Sequence, residues 1–115
     1  MITKLISEDY IDHRGRILSF IPTDSIKEFV MIETKVGVDR GDHLHPEFDE
    51  YIVLIKGNGK YIEKIDNVER TIEVVAGECI HIPTGVYHTF IPSTDCVAMS
   101  CLTKKWNDCK TPIIK

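Results

Sequence analysis

The sequence predicts an all-β domain, a sandwich or barrel of short strands. Three observations carry that expectation. Eight runs of four to eight residues are rich in Ile, Val, Thr, Tyr and Phe. Clusters of Gly, Pro, Asn, Asp and Ser stand between them. No segment of ordinary helix length keeps a clean 3.6-residue period.

The first run, 17–21, follows an Asp-His-Arg-Gly turn in which His13 is solvated. Ser25-x-x-Glu28 matches a helix capping box. The strand-like run 29–36 follows at once, so a single turn is expected there. Runs 51–56 and 60–65 flank Gly57-Asn58-Gly59, which reads as a tight hairpin. Asp66-Asn67 then leads to 71–75, Ala76-Gly77 to 79–82, Pro83-Thr84-Gly85 to 88–91, and Pro92-Ser93 to 96–102. Residues 51–55 are apolar at every position instead of every second one. One of their faces can line a barrel interior, and the other needs cover from a second sheet or a partner subunit. In so small a protein this favours a homodimer.

The chain has 115 residues, 43% of them hydrophobic and 28% charged, which fits one domain over 1–115. Its 14 basic and 18 acidic residues give a net charge of −4. That balance argues against nucleic acid and anionic membrane surfaces as partners, since both call for a basic face. The first ten residues lack the apolar core of a signal peptide, and no apolar run approaches a membrane span. A cytoplasmic protein is expected. The four cysteines, Cys79, Cys96, Cys101 and Cys109, include no C-x-x-C pair and read as free thiols.

The chemistry-bearing stretch begins at Gly41: GDHLHPEFDEYIVLIKG. Residues two apart on a strand share a face, so His43 and His45 can present both imidazoles to one point. After the bend at Pro46, Glu50 can return on the next strand. Two imidazoles and a carboxylate form a ligand set for a divalent first-row metal. A second stretch, GECIHIPTGVYH, begins at Gly77. Its Pro-x-Gly turn lets His88 re-enter as a fourth ligand, leaving open positions for water or substrate. Zinc, manganese, iron and nickel all suit such a set.

His43-x-His45-x4-Glu50-x6-Gly57 resembles the first cupin motif, and Gly77-x5-Pro83-x-Gly85-x2-His88 resembles the second. The resemblance implies a small jelly-roll barrel with metal ligands at His43, His45, Glu50 and His88. One departure is that Pro92 stands where the second motif commonly ends in Asn. Arg40-Gly41 ahead of the first motif, and Asp12-x-Arg14-Gly15 near the start, are similar to the nucleotide-sugar 3,4-ketoisomerases and, more distantly, 3,5-epimerases of bacterial surface polysaccharide pathways. That narrower resemblance implies proton transfer α to a carbonyl on a sugar or nucleotide sugar. In those ketoisomerases the paired histidines act as acid and base without metal. Carried across, His43 and His45 shuttle protons and Arg40 binds a phosphate or orients the site.

His43 and His45 cannot be ligands and bases at once. If metal is bound, another group moves the proton, and Tyr87 beside His88 is a candidate helper, with outward packing as its alternative. Arg14 reads equally as a phosphate contact or a turn-stabilising side chain. His81 shares a strand face with Cys79, either as a metal pair or as a packed strand histidine. Trp106 caps the barrel or a subunit contact. A metal-dependent dioxygenase with the same ligands, and a non-enzymatic sugar- or ligand-sensing module, are the rivals to the isomerase, because fold does not choose among them.

Overall fold

A computed structural model describes residues 2–5 and 8–115. The strands are β1 (Thr3–Leu5), β2 (Glu8–Asp12), β3 (Gly15–Ser19), β4 (Glu28–Thr34), β5 (Arg40–His43), β6 (Glu50–Lys56), β7 (Asn58–Ile65), β8 (Val68–Val75), β9 (Cys79–Ile82), β10 (Tyr87–Pro92) and β11 (Cys96–Leu102). They form a five-stranded sheet in the order β1-β9-β6-β11-β4 and a four-stranded sheet in the order β5-β10-β7-β8, with β2-β3 as a separate hairpin. Every strand pairing among the described residues is antiparallel. No helix among the described residues is long and apolar enough to cross a membrane.

All eight expected strands are present, and β1, β2 and β5 are additional. The missed strands are short or polar, and their partners lie far away in sequence for β1 and β5 (β9 and β10). Two local expectations are corrected. The Ser25-x-x-Glu28 segment contains no helical turn, because Glu28 already pairs with Leu102 in β4. Gly57-Asn58-Gly59 closes no hairpin, since β6 and β7 belong to different sheets. There the chain crosses a barrel corner against the backbone of Asp95, whose carbonyl would sit 2.4 Å from any Cβ on Gly57. The tight hairpin lies at Asp66-Asn67 instead. Both residues have positive φ, 52° and 64°, which is the backbone of a two-residue turn matched to strand twist.

Leu54, Tyr61, Val74, Ile80, Ile82 and Cys96 form the core between the sheets. Strand β6 shows why both of its faces are apolar. Glu50, Ile52 and Leu54 point into the barrel, while Tyr51, Val53 and Ile55 point outward. Tyr51 is covered by His81, whose ring stacks on it at 4.5 Å and 5°. Further along the same outer face Phe29, Met31 and Ile55 are exposed.

Candidate functional site

The β5–β10 pairing sets His43 opposite His88, with a bulge between His88 and Thr89. The ring centroids lie 5.0 Å apart. His45 follows the end of β5, where Leu44 bridges to Ile114, and its ring lies 4.6 Å from His43 and 5.2 Å from His88. Each imidazole offers a nitrogen within 4.8 Å of the others. Glu50 reaches this cluster from the opposite sheet. Its Oε1 is 3.3 Å from His45 Nε2 and 3.7 Å from His88 Nε2. The structure thus brings together all four expected ligands, drawn from three strands and one loop.

Two of the rings are aimed by their other nitrogens. His45 Nδ1 lies 3.0 Å from the Pro112 carbonyl, and His88 Nδ1 lies 2.9 Å from the Val86 carbonyl. A carbonyl only accepts, so each Nδ1 carries a proton and Nε2 turns toward Glu50. Phe48 stacks on His45 at 4.5 Å. Ser100 donates its hydroxyl hydrogen to Glu50 Oε2. Glu50 Oε1 is buried without a well-formed hydrogen bond; His45 Nε2, 3.3 Å away, can donate to it only when that ring is protonated.

Burial lowers the His43 pKa to about 4, with the neighbouring histidines adding to the effect, so His43 is uncharged at neutral pH. Burial likewise lowers His88. His45 moves the other way: burial pulls its pKa down, but the Glu50 carboxylate outweighs this and the net shift is upward. Glu50 is pushed up by burial and pulled further down by His45 and Ser100, so it stays ionised. The cluster is therefore built to hold positive charge beside Glu50. A divalent cation fits the donor set, since it would satisfy the orphaned oxygen and meet neutral imidazole lone pairs.

These groups open on a cavity of about 210 Å³ whose exposed wall members are Arg40 and Trp106. Arg40 Nε donates to Thr34 Oγ1 at 3.0 Å and Nη2 to the Glu33 carbonyl at 2.8 Å. Trp106 starts a 3₁₀ turn, Trp106–Asp108, and its ring stands 6.1 Å from His45.

Three readings that the sequence leaves open are narrowed by the structure. Tyr87 lies opposite Lys64, whereas His88 lies opposite the buried Glu63, so Tyr87 faces out of the barrel and is no helper in the cavity. Arg14 is held by Asp12 through Nε at 2.9 Å in the β2–β3 turn, which is the turn-stabilising role; it does not line the cavity. His81 bonds Asp49 at 2.8 Å on the outer face of its sheet and stacks on Tyr51, as a packed strand histidine does; Cys79 is buried beside it on that strand. Burial pushes that thiol up to about 12. The four cysteines are free.

Sequence reasoning missed Ser100, Phe48 and the Pro112 carbonyl. Ser100 and Pro112 act 50 and 67 residues away from their partners, with no local signal.

The cupin domain model matches residues 30–103. No curated protein matches the sequence. Among solved structures, the chain is similar to a 3,4-ketoisomerase from Helicobacter canadensis, with a TM-score of 0.87 and 16% identity over 98% of this chain and 89% of that one. It is similar to a TDP-quinovose 3,4-ketoisomerase from Campylobacter jejuni, with a TM-score of 0.86 and 15% identity over 98% and 91% of the two chains. A mutant 3,4-ketoisomerase from Thermoanaerobacterium thermosaccharolyticum, solved with TDP-4-keto-6-deoxyglucose, gives a TM-score of 0.83 and 20% identity over 98% and 86%. At these identities the likeness is one of fold, a jelly-roll barrel. With its family model covering well over half the residues and both motifs meeting at one cluster, the chain belongs to the cupin domain family.

Proposed function

We propose that this cupin holds a divalent metal ion on His43, His45, His88 and Glu50, and moves a proton at the carbon next to a carbonyl of a sugar or nucleotide sugar. The observation that carries the reading is the meeting of three imidazoles beside a buried carboxylate oxygen without a well-formed hydrogen bond. A bound ion would supply Lewis-acid polarisation of the carbonyl. The proton needs an acceptor besides the ion, and His43, the cluster imidazole that no carbonyl or carboxylate contact anchors among the described residues, would leave the ion to take it and return it. The chain's other groups hold the cluster in place. Pro112 and Val86 carbonyls fix the histidine tautomers, Ser100 holds Glu50, and the apolar wall keeps water from the reacting carbon. A 4-keto sugar, the type of compound solved in complex with one structural neighbour, carries the required ketone and α-hydrogen.

A second reading draws on the opposite pKa shifts of His43 and His45. Without metal, an unprotonated imidazole stands beside a more basic one, 4.6 Å between rings. His43 takes the α-hydrogen, the C–H electrons pass into the carbonyl to give an enolate, and His45 returns a proton to carbon as the carbonyl re-forms.

Elemental analysis of protein purified without a metal-affinity tag separates the two readings. Deuterium incorporation from D2O into a 4-keto sugar nucleotide tests the proton transfer common to both. We expect metal near stoichiometry, its sharp loss in His45→Ala with the barrel still folded, and deuterium exchange. Oxygen consumption without exchange would replace the isomerase with the dioxygenase, and tight ligand binding with neither signal would leave a sensing module. A homodimer belongs to the proposal, because Phe29, Met31 and Ile55 form an exposed apolar face that a second copy would cover. Analytical ultracentrifugation reads that directly.

A further inference from the structure

The cavity extends well past the groups that carry the chemistry. On β6 the inward positions run Glu50, Ile52, Leu54, and on β11 they run Leu102, Ser100, Ala98. An apolar stretch therefore begins one inward step beyond the carboxylate and continues for another. Ile32, Ile52, Leu54, Ile80, Phe90 and Ala98 are its main wall. Open space among such side chains is costly, since the surrounding carbons forgo packing contacts. Water is a poor filler, because a buried water needs two to four polar partners.

The polar side chains in that wall are already engaged. Tyr61 donates its hydroxyl hydrogen to Glu63 Oε1 at 3.0 Å. Ser100 donates to Glu50, Thr34 Oγ1 accepts from Arg40, and Cys96 Sγ donates to the Asn58 and Thr94 carbonyls. A ligand hydroxyl pushed inward past the histidines gives up its hydrogen bonds to water and finds little in exchange. A methylene or ring carbon in the same place gains contacts and leaves water.

We propose that the inner cavity takes the apolar end of a small ligand, while an oxygen-bearing head meets the histidine cluster. An apolar cavity of about 150 Å³ already admits benzene, and the whole cavity here, its histidine-lined mouth included, is about 210 Å³, so the apolar end and the polar head share that space. The inference deepens the proposed function and rests on it for the head alone. The substrate is a compact carbonyl compound with an alkyl or aryl end. A sugar derivative meets the requirement by turning a deoxygenated or alkylated end inward, and a fully hydroxylated ring is rejected.

The test uses the protein as purified, with metal content measured on the same sample. Toluene is titrated by calorimetry and by thermal melting. Pyruvate, 2-oxobutanoate, 2-oxopentanoate and 4-methyl-2-oxopentanoate then form a series with a constant head, and fructose is the polyol control. Toluene binds and raises the melting temperature, affinity rises roughly fourfold for each added carbon, and fructose does not bind. Ala98→Leu fills the space and weakens toluene binding about tenfold or more with metal content unchanged. Ile32→Phe narrows the same space from β4 and serves if the first variant fails to fold. Absent toluene binding overturns the inference whatever the histidines hold. So does a flat series together with fructose binding. Toluene binding without deuterium exchange on any carbonyl substrate supports this inference and strikes the proposed function instead.

Discussion

Replacing Glu50 with Gln keeps the shape of a buried side chain and removes its charge. The carboxylate lies 3.3 Å from His45 Nε2. At an effective dielectric of about 20, two unit charges at that distance attract by about 5 kcal/mol. Burial opposes this on both partners, being the largest cause acting on each pKa. The surplus holds the His45 pKa above its ordinary 6.5 and the Glu50 pKa below its ordinary 4.5. In Glu50→Gln only burial and the Pro112 carbonyl act on His45, so its pKa should fall below 6.5.

The stability signs follow. A raised histidine contributes fully below its unfolded pKa, and the contribution is lost as pH rises through the folded pKa. A depressed carboxylate contributes above its unfolded pKa and loses it as pH falls through the folded pKa. The wild-type advantage over Glu50→Gln is therefore greatest between pH 4.5 and 6.5, the two unfolded values. Its size is about 1–3 kcal/mol, the cost of losing a buried charged partner, or about 4 °C in melting temperature per kcal/mol. NMR titration of the His45 ring in metal-free protein and melting curves across pH make the assay. A His45 pKa still above 6.5 in the variant would refute the electrostatic argument.

Three further outcomes are expected. Gly41→Ala places a Cβ 2.6 Å from the His88 carbonyl at a φ of +97°, so β5 and β10 must part. Melting should show a loss of about 2 kcal/mol or more, together with reduced metal content. Ser100→Ala leaves Glu50 Oε2 without its donor and should cost about 1–3 kcal/mol, and calorimetric metal affinity should fall about tenfold or more. Tyr87→Phe should leave deuterium exchange within about twofold of wild type, since the ring faces out of the barrel; a tenfold loss would contradict that orientation.

How much of this was legible beforehand depends on the range of the interaction. The His43/His45 spacing, Glu50 and the Pro83-Thr84-Gly85 turn before His88 are local patterns, and strand periodicity alone puts the paired imidazoles on one face. The apolar runs of β6, β9 and β11 likewise announce themselves, because a strand buried on one or both faces needs β-branched and aromatic residues. Strand β5, with the sequence Arg-Gly-Asp-His, does not. Its strand state exists because β10 pairs with it and because Gly41 lets the two backbones close. Gly57 misled for a related reason: a glycine that permits positive φ serves a hairpin or a sheet corner equally well, and only the contact with Asp95 decides.

The same division runs through the site. Composition and spacing determined which side chains were available to bind a cation and which kind of strand would carry them. Tertiary structure decided their electrostatic state and supports. It set Glu50 from one sheet against histidines of the other, Ser100 behind the carboxylate, and the Pro112 carbonyl on His45. It also turned Tyr87 outward and tied Arg14 into its own turn. Burial, pKa and hydrogen-bond partner are properties of through-space neighbours, and in a sandwich of this kind those neighbours are separated by long stretches of chain.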